Sequence, residues 1–247
     1  MLIHFDSSNG LVYEERPKRQ KRTTDRQEWW DARTELFRKY VLPSLLNQSL
    51  EDFDVWGMFD PRDKQRSEEM MALFGDNRFI HTNIGVRGLF QYYEDFKSPI
   101  CIVHLDSDDM YARGAMRMFK EANLKPGQIA YCDTGYLLDT ESQELSLYQG
   151  VSTPPPFFAM VYPPKAFSNQ KVWDNFRSKA GFVTFHQRLS HHKHSRVMSP
   201  WMFCHTINGH NTQILLSGVR SRIDYRTKGT VTNSERRQEI LTSFGLN

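Results

Sequence analysis

The sequence predicts a single α/β domain with a mostly parallel central sheet flanked by helices. Three observations predict it. Strand-like and helix-like stretches alternate through the first half, the pattern of a doubly wound parallel sheet. The run Ile100-Cys101-Ile102-Val103-His104-Leu105 is short, β-branched and almost continuously apolar, as befits a strand buried on both faces. A chain of 247 residues, 39% apolar and 25% charged, is also the right size for one substantial core.

Each element has a local reason. Met1–Asp6 reads as a short first strand. From Glu28 to Gln48, Trp29, Trp30, Leu36, Phe37, Tyr40, Val41, Leu45 and Leu46 fall on one broad helical face, with Pro43 expected to kink the end. Phe53–Phe59 alternates as a strand and Asp60-Pro61 closes it. A helix over about Ser67–Phe74, a strand near Arg78–Thr82 and a helix near Arg87–Phe96 precede the central strand. Beyond it, Ala112–Asn123 reads as a helix stopped by Lys125-Pro126-Gly127. Ile129–Cys132 and Tyr136–Asp139 read as strands followed by a polar turn, and Ser152-Thr153-Pro154-Pro155-Pro156 as a stiff connector. Phe157–Tyr162 and Val197–Cys204 read as strands, and Phe182–Ser190 and Ser234–Phe244 as helices.

Composition narrows the class. Five Trp, ten Tyr and seventeen Phe argue against wholesale disorder. No apolar run is long enough to span a bilayer. The opening residues lack the basic start and apolar stretch of a secretion leader, and the three widely spaced cysteines (Cys101, Cys132, Cys204) make neither a disulfide framework nor a zinc pattern. A reducing cytoplasm is the expectation. The net charge of +3 is uninformative, but Arg16, Lys18, Arg19, Lys21, Arg22 and Arg26 crowd one stretch. Such a run is either a solvated loop or a binding segment for a diphosphate or a polyanionic acceptor.

The chemistry concentrates at Leu105-Asp106-Ser107-Asp108-Asp109. Three carboxylates crowd the carboxyl end of the central strand, the edge where open α/β sheets bind ligands. Clustered carboxylates repel one another unless a cation or shared protons relieve them. Mg²⁺ or Mn²⁺ takes oxygen ligands and leaves positions for phosphate oxygens, so an ion there would stabilise a departing diphosphate. The bland reading is that Asp108 and Asp109 cap the helix near Ala112.

A strand ending in Leu-Asp-Ser-Asp-Asp resembles the Asp-any-Asp motif of GT-A-fold glycosyltransferases, whose sheet is Rossmann-like. The stretch Trp30-Asp31-Ala32-Arg33-Thr34-Glu35-Leu36-Phe37, continuing through Val41-Leu42-Pro43-Ser44-Leu45-Leu46-Asn47-Gln48, is similar to the opening of a family described as rhamnosyl transferases. Trp201-Met202-Phe203-Cys204-His205, followed by His210-Asn211, resembles that family's Trp…His…Asn element. The resemblance covers about Trp29–Asn211 discontinuously. It implies a nucleotide-sugar donor, with about residues 1–125 binding it and about 126–247 binding the acceptor. By the same analogy Asp60 lies near the nucleobase or ribose, Asp106 near the ribose or the metal, and Asp108 is the leading metal ligand, assisted by Asp109.

Other candidates are weighed against plainer roles. Arg87, after Gly85 and before Gly88, is either a diphosphate contact or a surface cation. His205 is either a fourth metal ligand or a structural imidazole, and His210 is a weaker version of the same choice. His186, His191, His192 and His194 read as a basic turn more readily than as a zinc site, with His186 best placed to activate an acceptor. If the reaction inverts the sugar, a general base is needed. Asp133, at the end of a strand beside the site, ranks ahead of His186 and Asp174.

The expected activity is metal-dependent sugar transfer, with Mn²⁺ or Mg²⁺, to a glycan hydroxyl. The alternative acceptor is a hydroxylated base in DNA, for which the basic run would track phosphates. A nucleotidyltransferase would want a Gly-rich phosphate loop, and Met1–Arg16 offers only Asn9-Gly10. A non-catalytic nucleotide-sugar-binding module is the remaining class.

Overall fold

The computed structural model describes residues 1–4, 26–59, 64–73, 75, 79–82, 91–149, 157–173, 175, 195–198, 200–208 and 227–246. The basic run before Arg26, the expected helix Phe182–Ser190, and Asp60, Arg87, Asp174, His186, His191, His192, His194 and His210 lie outside the described residues.

The chain is a mixed α/β protein with two sheets rather than one. The first half runs β1 (Leu2–His4), α1 (Arg26–Leu36), α2 (Leu42–Leu46), β2 (Val55–Met58), α3 (Lys64–Ala72), β3 (Phe79–Thr82) and β4 (Ile100–Asp106). The second half runs β5 (Met110–Tyr111), α4 (Ala115–Glu121), β6 (Ile129–Tyr131), β7 (Thr134–Asp139), β8 (Leu145–Gln149), β9 (Phe158–Tyr162) and α5 (Lys165–Ser168). It closes with β10 (Ser195–Val197), β11 (Phe203–Ile207), β12 (Thr227–Thr230) and α6 (Ser234–Ser243).

The larger sheet has the order β10-β6-β9-β4-β1-β2-β3. Strands β3, β2, β1 and β4 are all parallel, and β6 is parallel to β10. Strand β9 breaks the pattern by running antiparallel to both β4 and β6. Four consecutive buried residues, Ile102 to Leu105, show β4 covered on both faces, as its apolar run predicts. The smaller sheet, β12-β8-β7-β11-β5, was not foreseen. Only β11 and β7 are parallel within it.

The long helix expected over Glu28–Gln48 is divided. A π-helical stretch, Phe37–Val41, separates α1 from α2, and the Leu42 N–H reaches back to the Phe37 carbonyl. Pro43 explains this: it has no N–H for the Lys39 carbonyl and its ring crowds that oxygen, so the preceding turn widens. The apolar stripe survives the irregularity, since Trp29, Trp30, Phe37, Val41 and Leu45 are all buried in the main core. Likewise Val197–Cys204 is not one strand. It splits into β10 and β11 around Trp201, whose φ of 69° no continuous strand accommodates.

The two sheets are joined at one edge. The chain leaves the larger sheet at Asp106 and enters the smaller one at Met110. It makes the same passage again between Tyr131, the last residue of β6, and Thr134, the first of β7. Gln48 braces the first crossing. Its amide donates to the carbonyls of Ser44, Tyr111 and Ala112, and its oxygen accepts from Met116 N–H at the start of α4. Among the described residues no helix is long and apolar enough to cross a membrane.

Candidate active site

Winding outward from β1, the chain adds β2 and β3 on one side and then returns to place β4 on the other. The crevice outside the carboxyl ends of β1 and β4 is therefore a topological switch point, where doubly wound sheets bind ligands. Asp106, in register with His4 of β1, sits on that edge.

From there the acidic turn folds over itself. Asp109 N–H donates to the Asp106 carbonyl at 3.1 Å. Neither Asp108 nor Asp109 caps a helix: a strand, β5, follows them, and the residue at the head of α4 is Gly114, with no side-chain cap. That disposes of the plainer reading of the motif.

The three carboxylates have different surroundings. The Asp106 side chain is enclosed by protein on most sides and keeps 40% of its surface exposed at the sheet edge. His104 Nε2 is 3.9 Å from it, and its ring stacks on Phe158 at 5.0 Å. The Asp108 carboxylate is turned inward, its Oδ2 lying 2.6 Å from Arg33 Nη1 and accepting from Asn208 Nδ2 at 3.2 Å. Asp109 is fully buried. Its Oδ1 meets His205 Nδ1 at 2.8 Å and Thr206 N–H at 2.9 Å, while its Oδ2 is enclosed with no hydrogen-bond partner among the described residues. Thr206 Oγ1 adds a bond to the Asp108 carbonyl at 2.7 Å.

Electrostatics follow from this packing. Burial, and then the nearby Asp108 charge, push the Asp106 carboxyl up to about 6. Burial likewise raises Asp109. Burial alone would lower the His205 imidazole, but Asp109, then Asp108 and Asp106, carry it above its ordinary value. At neutral pH the turn thus holds carboxylates countered by a protonated His205 and by Arg33.

The predicted metal set is not drawn into one coordination group. Asp109 and His205 bind each other, and Asp108 is engaged by Arg33 and Asn208. No cluster of three His, Cys, Asp or Glu side chains among the described residues is arranged to hold an ion. The physical reason is that Arg33 and His205 already supply the positive charge such a cluster requires. Asp106 is the carboxylate presented outward, a donor set suited to Mg²⁺ or Mn²⁺ that keeps most of its shell as phosphate oxygens and water.

Asp133 belongs to the same edge. Ala130 of β6 and Val103 of β4 both pair with Ala159 of the intervening β9. Asp106 ends β4 three residues further on, whereas Asp133 lies beyond the end of β6, in the crossover to β7. Asp133 is half-buried and accepts from Thr134 Oγ1 at 3.0 Å.

Arg33, Thr206 and Asn208 are site residues that the pattern reading missed as such. Arg33 carried a usable signal: it is a charge on the buried face between Trp30 and Phe37, and a charge there needs a partner. Thr206 and Asn208 carried none, because their role depends on β11 lying beside the turn. No family model matches the chain, and no curated protein matches it.

Proposed function

We propose that this chain is a glycosyltransferase that moves a sugar from a nucleotide-sugar donor to an acceptor hydroxyl, on a GT-A-like sheet. The observation that carries the reading is the place of Asp106: an outward carboxylate at the switch point between β1 and β4, heading an acidic turn. The parallel order β3-β2-β1 followed by β4 supports it, being that of one mononucleotide-binding half and the first strand across the switch point. So does the resemblance of Leu105–Asp109 to the Asp-any-Asp motif.

Within this reading Asp106 faces the donor's ribose and diphosphate. The Arg33–Asp108 and His205–Asp109 pairs fix the turn that aims it. Mn²⁺ or Mg²⁺, when bound with the diphosphate, supplies Lewis-acid stabilisation of the leaving group. Asp133 follows β6, which lies on the other side of β9 from β4 and Asp106. It is our choice of general base for an inverting transfer. A glycan is the acceptor we favour.

The test is a panel of nucleotide-sugars incubated with the full chain, with Mn²⁺ or Mg²⁺ present and absent. Release of nucleoside diphosphate from one donor is expected, faster with a glycan acceptor. No release from any donor under either condition would count against the proposal.

A further inference from the structure

We infer that Arg33 is the resident counter-ion of the acidic turn, so that the nucleotide-free protein takes up no divalent cation there. Arg33 sits on α1, with its side chain 10% exposed and that of Asp108 7% exposed, and the two meet at 2.6 Å. The guanidinium also lies 5.2 Å from the Trp29 ring centre, a cation–π contact that fixes its approach. A divalent ion seeking Asp108 Oδ2 must therefore displace a buried, aromatically held cation as well as the Asn208 amide on the same oxygen. His205 and the Thr206 amide hold Asp109 Oδ1 in the same way.

With Asp108 Oδ2 and Asp109 Oδ1 engaged and Asp109 Oδ2 enclosed, the described residues of the nucleotide-free site offer an ion chiefly the Asp106 carboxylate, too few ligands to strip a hard cation of its water. A diphosphate changes this by bringing its own oxygens. That second half rests on the nucleotide-sugar reading; the first half does not.

The experiment is a titration of the full chain with MnCl₂ alone, followed by calorimetry and by the electron-spin signal of free Mn²⁺. No saturable site is expected. The titration is repeated on Arg33→Met, in which Asp108 Oδ2 loses its cationic partner and keeps the neutral Asn208 amide, and a Mn²⁺ site about tenfold or more tighter than any in the parent is expected. A saturable Mn²⁺ site in the parent that is lost in Asp106→Asn would overturn the inference. So would a folded Arg33→Met with no gain in affinity. If Arg33→Met does not fold, the parent and Asp106→Asn still decide the matter. A third series adds a nucleoside diphosphate. Failure of every diphosphate to bind, with the Arg33→Met gain intact, would sink the donor reading and leave the counter-ion standing.

Discussion

Arg33 Nη1 and Asp108 Oδ2 are 2.6 Å apart in a setting where both side chains are almost wholly removed from solvent. The pair ties α1 to the turn that ends the central strand, and with it the opening motif of the chain to the acidic one. Buried pairs of this kind add little net stability over an apolar substitute, but breaking one leaves an uncompensated charge. Arg33→Met should therefore cost about 3–5 kcal/mol in urea unfolding. The double variant Arg33→Met/Asp108→Leu should recover most of that loss. A single variant as stable as the parent would show that the pair is not formed.

The His205–Asp109 contact gives a pH signature. His205 binds its proton more tightly in the folded protein than in the unfolded chain, because Asp109, Asp108 and Asp106 surround it. Its contribution is thus fully present below the unfolded imidazole value, about 6.5, and is lost as pH rises through the folded value, about 9. Melting temperature should fall across that alkaline window, and His205→Gln should flatten the fall. A melting temperature that rises over the same window in the parent and drops out in His205→Gln would reverse the sign and refute the assignment.

Gly135 sets how closely β7 and β11 approach. A methyl group there would stand 2.6 Å from the Phe203 carbonyl oxygen and 2.8 Å from its ring, and Phe203 is itself stacked on Phe157 at 4.0 Å. Because β11 carries His205 and Thr206, the disturbance reaches the acidic turn. Gly135→Ala should lose about 1–3 kcal/mol by overpacking, read by denaturant midpoint. An unchanged midpoint would mean the strands part without cost.

Gln48 satisfies three carbonyls and one N–H from inside the core. Gln48→Met keeps the volume and removes these bonds, leaving the Ala112 carbonyl its bond from Ala115 N–H, with an expected loss of about 1–3 kcal/mol. A neutral effect would indicate that water replaces the amide.

How much of this was legible beforehand depends on the range of the interaction. The central strand was plain, because a strand covered on both faces must be almost continuously apolar, and Ile102, Val103 and Leu105 flank the one buried imidazole, His104. The helix ends near Ser234 were plain too: Asn233 accepts from Arg236 N–H at 2.7 Å, a local cap. The smaller sheet was not legible. Strand β8 follows directly on the polar turn after β7, and β5 is two residues long; β5 and β12 exist as strands because β11 and β8, far from them in sequence, pair with them. The acidic site divided in the same way. Asp106–Asp109 announced themselves by composition, whereas their counter-charges come from Arg33 and His205, 75 and 96 residues away from Asp108 and Asp109 respectively.

The central claim is that the sheet edge at Asp106 is where a sugar nucleotide is bound and its diphosphate released. Its most direct test compares the parent with Asp106→Asn for turnover of the best donor, alongside thermal melting. Because burial and Asp108 hold the Asp106 carboxyl up to about 6, its charge works against folding at neutral pH, and the amide should melt slightly higher. Turnover should fall about 100-fold or more. An Asp106→Asn protein that is equally stable and turns over the donor at the parental rate would contradict the account.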